Sequence, residues 1–121
     1  MPVRQLAAVV GQRPKNVAAS AAGVYVGLYD SDLLLQVNPA NAALRWQART
    51  GPGGVNGLAV WGDYVVTANR NANLATIHRA SDVQALAKLA LGVLPWGVAA
   101  ADGLAYVANF GDNSVSTVDL V

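Results

Sequence analysis

This sequence offers few side chains for bond-making chemistry. Its 121 residues hold one histidine, His78, no cysteine, and seven acids, all of them Asp. A thiolate nucleophile, a thiolate metal site and a histidine zinc motif are therefore excluded. No Gly-x-Ser-x-Gly elbow occurs, and Gly51-Pro-Gly-Gly54 lacks the Lys-Ser/Thr that completes a phosphate loop. What remains is recognition chemistry. Lys15 and Asn16, Asn56, and Trp96 each follow a Pro- or Gly-rich connection, while Arg70 and Phe110 lie in polar stretches further along. Amides, cations and rings of this kind offer hydrogen bonds beside flat apolar faces, which suits a small polar ligand or a peptide.

Composition narrows the partners. A net charge of +1 gives no field to attract nucleic acid or an anionic membrane. With 54% apolar and 12% charged residues the chain folds, and its length suits a single domain over residues 1–121. The start, through Val9-Val10-Gly11, carries one Arg and a short apolar stretch, so neither a signal peptide nor a spanning segment is expected. The compartment is not legible. The absence of Glu and the presence of only two Lys tilt the expectation from exposed helices toward strands and turns.

The elements that position the polar residues emerge as a repeat. Gly11, Gly51 and Gly92 each close a strand-like segment, at spacings of 40 and 41. After each come a Pro/Gly-rich connection, a small-residue apolar run, a tight turn, a strand, a polar connection and another strand. The turns centre on Ala22-Gly23, Gly62-Asp63 and Asp102-Gly103, and the last strands end at Asn38, His78 and Asp119. Four strands per unit, over about 4–43, 44–84 and 85–121, match the roughly 40–45 residues of a propeller blade. Taken alone, residues 81–91 have an N-cap Ser and helical apolar spacing. Their place in the repeat makes them a strand, because periodicity in a sheet protein outweighs local propensity.

Residues 94–119 resemble a YVTN-type β-propeller repeat, with Tyr106-Val-Ala-Asn109 at the motif for which that family is named. Val66-Thr-Ala-Asn69 is a looser version, and Tyr25-Val-Gly-Leu28 lacks the Asn. The resemblance implies an all-β fold of three four-stranded blades. In this register the third blade lacks its outer strand, and residues 3–10 form an outer strand without a blade. Three blades close no ring, so the expectation is a homodimer: residues 3–10 of each copy pair with 114–120 of the other in a six-bladed ring.

In a ring the loops leading into the inner strands and those between the second and third strands share one face. That rim holds Arg13, Lys15, Asn16, Asn56 and Trp96, together with Tyr29, Asp30, Asp32, Asn69, Arg70, Asn71, Asn73, Asn109, Phe110, Asp112 and Asn113. For Asn69, Asn109, Asp112 and Asn113 the plainer reading is bonding to nearby backbone at turns. His78 is expected to cap a turn, and Trp46 and Trp61 to pack between blades. The candidate ligand-binding set is Lys15, Asn16, Asn56, Arg70, Trp96 and Phe110. Two alternatives stand beside a binding module. One is a lactonase- or lyase-like enzyme, for which Asn16, Asn56 and Asp30 give few oxygens for a calcium ion. The other is a structural fragment of a longer propeller. No cofactor is otherwise expected.

Overall fold

The structure is a computed structural model, and it describes residues 13–121. The strand expected over residues 3–10 lies outside them. Three antiparallel sheets follow one another along the chain. The first is built from β1 (Pro14–Ser20), β2 (Gly23–Leu28), β3 (Leu33–Val37) and β4 (Leu44–Arg49), the second from β5 (Val55–Trp61), β6 (Tyr64–Asn69), β7 (Leu74–Arg79) and β8 (Ala85–Ala90). The third has three strands, β9 (Pro95–Ala101), β10 (Leu104–Asn109) and β11 (Ser114–Asp119). Each sheet is a simple meander, so every ladder is between sequence neighbours. The inner strand β5 touches both β1 and β9, which sets the first strands of the three blades side by side. No helix of the described residues is long and apolar enough to cross a membrane.

Tight turns set the pairing. Gly62-Asp63 joins the pair Trp61↔Tyr64, and Asp102-Gly103 joins Ala101↔Leu104. Gly62, Asp102 and Gly103 all have positive φ, as such hairpins demand. Residues 85–90 form a strand rather than a helix, because β7 offers them a full ladder from Leu74↔Ala90 to His78↔Ala85.

Side chains alternate across each sheet, so every blade has two faces to cover. Tyr25 and Leu34 of blade 1 meet Val55, Leu58, Val65, Ala80 and Val83 of blade 2. Val66, Ala75 and Ile77, on the opposite face of blade 2, meet Ala105, Val118 and Leu120 of blade 3. Trp61 packs at the edge of that second cluster, between blades as expected. Trp46 does not: it is exposed on β4, because the outermost strand lies where neighbouring blades diverge. A third cluster, Val26, Leu28 and Leu35, lies on the other face of blade 1.

One polar chain crosses the interior between blades 1 and 2. His78 bonds the Val83 carbonyl through Nδ1 at 2.9 Å and Thr76 Oγ1 through Nε2 at 3.0 Å. A carbonyl only accepts, so Nδ1 carries the proton and Nε2 accepts from Thr76. Thr76 then meets Thr67, whose hydroxyl reaches Asn69 Oδ1 at 3.0 Å, and Asn69 Nδ2 donates to the Thr50 carbonyl at 3.0 Å. His78 thus ties down the β7–β8 turn. Burial lowers its pKa, opposed in part by the bond to Val83. Below 6.5, the ordinary value, the unfolded chain takes up a proton that the fold resists. Stability is therefore full above that pH and declines as pH falls through it. Urea midpoints measured at about pH 7.5 and about pH 5 should drop for the wild type and change less for His78→Gln, the chain having no other histidine.

Candidate functional site

One extra residue at the start of each inner strand builds the site. Pro14↔Leu28 is followed by Asn16↔Gly27, and Val55↔Asn69 by Gly57↔Ala68, leaving Lys15 and Asn56 outside the ladder. In blade 3 the pairing slips between Val107 and Asn109, and Trp96 takes the same place. These are β-bulges, which re-aim a side chain without ending the strand. Lys15, Asn56 and Trp96 are therefore one position written three ways.

The loops after the second strands supply a second triplet. The Tyr29, Arg70 and Phe110 amides donate to the carbonyls of Arg13, Gly54 and Leu94 at 3.1, 3.0 and 2.9 Å. The accepting residues all have positive φ, a shape that Arg13 and Leu94 adopt despite their side chains. Each blade is also clamped to the next. Asp32 Oδ1 accepts from the Gly54 amide at 2.8 Å, and Asn73 Oδ1 from the Leu94 amide at 2.9 Å. Asp32, Asn73 and Asn113 share one loop position and the left-handed conformation, which Asp and Asn tolerate.

The two triplets converge on Trp96. Lys15 Nζ stands 4.5 Å from the Tyr29 ring centre and 5.8 Å from that of Trp96. Arg70 Cζ lies 4.4 Å over the Trp96 ring, and Phe110 stacks on it at 5.2 Å with a 40° tilt. Asn71 Nδ2 and an Arg70 nitrogen donate to the Tyr29 hydroxyl at 2.9 and 3.5 Å. Among the described residues the ion pairs are Arg13–Asp30 and Arg79–Asp82, so Lys15 and Arg70 have no carboxylate partner. Residues 1–12 contain no acid that could supply one. The Arg70 Nε is buried without an acceptor.

Asn16 and Asn56 sit beside this cluster. The Asn16 amide donates to the Asn56 carbonyl, linking blades 1 and 2. The Asn56 side chain is 4% exposed, and neither its oxygen nor its nitrogen has a partner among the described residues. The six sequence candidates thus form one neighbourhood, and Tyr29, named only among the rim residues, is its second platform. Its signal was its place opposite Arg70 and Phe110 in the repeat.

Several rim residues are taken up within the fold, by side-chain hydroxyls and by backbone of other loops rather than by the backbone of their own turns. Asn69 is consumed by Thr50 and Thr67, and Asn109 donates to Ser114 and Ser116, its Oδ1 having no partner among the described residues. Asp112 accepts from Ser114 and from the Val93 amide, bonds that hold its pKa below the ordinary value. Asp30, which the calcium reading needs, is paired with Arg13 at 3.2 Å.

Chains of similar shape exist among solved structures, although no protein-family model and no curated protein matches. Hydrazine synthase of Kuenenia stuttgartiensis superposes with a TM-score of 0.82 at 16% identity, over 88% of this chain and 32% of that one. BamB from Moraxella catarrhalis gives 0.76 at 15%, over 90% and 34%. The WD40 repeats of RRP9 give 0.66 at 13%, over 86% and 36%. The chain spans about a third of each. The likeness shows the fold: this is a β-propeller segment of three blades.

An unpaired buried amide is costly where it stands. Replacing Asn56 by Leu, of similar volume, should raise the unfolding free energy by about 1–2 kcal/mol in urea titration, because two unsatisfied polar atoms leave the interior.

Proposed function

We propose that the chain is a binding module, half of a six-bladed YVTN-type ring whose axial mouth takes a small ligand with an anionic group on a flat apolar body. A second copy completes the ring, residues 3–10 of each copy supplying the outer strand beside β11 of the other. The observation that carries the reading is the mouth itself. Lys15 and Arg70, with no carboxylate partner, flank Trp96, and the buried Asn56 side chain beside them has both amide atoms unpaired among the described residues. The cations attract the anion, Trp96 and Phe110 receive the flat body, and Asn56 fixes its orientation.

Benzoate is a suitable probe. In an NMR titration the Trp96 indole N–H resonance should shift saturably with benzoate, and the shift should weaken as salt rises. Arg70→Gln and Lys15→Gln should each weaken the apparent affinity by roughly 10- to 150-fold, the range for losing one charged contact. Equal shifts from benzylamine, a cation of the same shape, would refute an anion site.

A further inference from the structure

The buried amide side chains with an unmet atom are of two kinds. Gln36 and Asn109 each leave one oxygen without a partner among the described residues, but their nitrogens are engaged. Gln36 donates to the Ala22 carbonyl at 3.1 Å, and Asn109 to Ser114 and Ser116 at 3.0 and 2.8 Å. Asn56 is different. It is 4% exposed, and its donor and its acceptor are both unmet among the described residues. A buried amide with neither side paired carries the desolvation cost of both groups, which a fold tolerates where something else supplies the partners.

The backbone at Asn56 is fixed from both sides. Val55↔Asn69 and Gly57↔Ala68 hold the ladder around it, and its carbonyl receives the Asn16 amide from blade 1. On the other side the Trp96 carbonyl fills the space that a Cβ on Gly57 would need, so the strand is pressed against blade 3. The bulge thus anchors position 56 between its two neighbours while taking its side chain out of the pairing. An amide held this way is preorganised for whatever it binds.

The same alignment accounts for its burial. Lys15, Asn56 and Trp96 hold one position on successive blades, and β5 stands between β1 and β9. Lys15 Nζ nevertheless comes within 5.8 Å of the Trp96 ring centre, so the two long side chains meet across the blade that carries the short one. Lys15 is exposed and Trp96 is 37% exposed. A cation–π contact in that setting is weak, so the pair parts at little cost. Arg70, with its Cζ 4.4 Å over the same ring, adds a buried donor without an acceptor, its Nε.

We infer that Asn56 reads the edge of the ligand, and that the ligand is a heteroaromatic anion whose rim carries an N–H beside an acceptor. A primary amide presents an N–H next to its C=O. A lactam edge or an amino-azine edge satisfies both at once, because each sets a donor beside an acceptor. A carboxylate offers acceptors only and leaves the Asn56 oxygen unmet, and a benzene rim offers neither group. Lys15 and Trp96 part, the flat body lies along Trp96, its edge pairs with Asn56, and its anionic group meets Lys15 and the Arg70 Nε. A rim without that pattern leaves the buried amide unpaired, which is how such a site rejects a ligand of the right shape and charge. This assignment rests on the anion site proposed above, and it adds the hydrogen-bond pattern that the site selects.

Three probes of one shape test it: 6-hydroxynicotinate, a lactam in water, 6-aminonicotinate, an amino-azine, and benzoate, which has neither edge. In titrations at about pH 8, followed by the Trp96 indole N–H resonance, one of the first two should bind roughly 10- to 100-fold more tightly than benzoate, the range for two hydrogen bonds to groups otherwise unpaired. The tighter of the two names the source of the edge. Methylating the lactam nitrogen should abolish the preference, and Asn56→Leu should bring the affinity ratio to benzoate down to about 1. Circular dichroism confirms that this variant is folded. If benzoate shifts the resonance and neither heterocycle binds more tightly, the edge reading is overturned and the anion site stands. A preference that survives Asn56→Leu also overturns it. The parent lactam 2-pyridone, which lacks the carboxylate, separates the two claims: affinity equal to that of 6-hydroxynicotinate overturns the anion site and leaves the Asn56 pairing standing. No shift from any probe overturns both.

Discussion

A meander of four strands makes a sheet with two apolar faces, and neither face can be covered from within the same meander. Everything else in this molecule follows from that constraint. The faces of blade 2 are both met, by Tyr25 and Leu34 on one side and by Ala105, Val118 and Leu120 on the other. Stability is consequently a property of joints rather than of blades, as in other repeat architectures. The small residues of β1, β5 and β9 have the same origin, since bulkier ones would hold the inner strands apart where the blades converge.

Polar groups inside the joints serve geometry. The Tyr25 hydroxyl, the His78–Thr76–Thr67–Asn69 chain and the Asp32 and Asn73 clamps all end on backbone atoms of a neighbouring turn or loop. A buried polar atom that must find one partner rejects slipped packings that a purely apolar face would accept. The Asn56 side chain departs from this pattern, for neither of its polar atoms finds a partner among the described residues, and the neighbouring Arg70 Nε is likewise unmet. Such an exception beside two unneutralised cations belongs to a site rather than to a scaffold.

The strand order was legible because turn residues and small-residue runs recur every 40 or 41 residues. That recurrence also decided residues 85–90, where local propensity alone spells a helix. The grouping of Lys15, Asn16, Asn56, Arg70, Trp96 and Phe110 could be anticipated from loops sharing a rim. The bulges could not, because a one-residue slip in pairing leaves no mark on composition. Nor could the exposure of Trp46, since a large aromatic in a strand says nothing about how far its neighbours have diverged. The His78 chain was hidden for a related reason: Thr67, Thr76 and His78 look like ordinary alternating strand residues until β6 and β7 are set side by side.

The bulge separates two kinds of inheritance. Ladder residues on either side of positions 15, 56 and 96 fix the fold, while those three positions take no part in the pairing. Their side chains can be exchanged with little consequence for strand register, and they already differ as widely as a cation, an amide and an indole. Ligand preference is therefore free to drift while architecture stays put. For an engineer the same feature marks three codons as a compact library, with the scaffold left untouched.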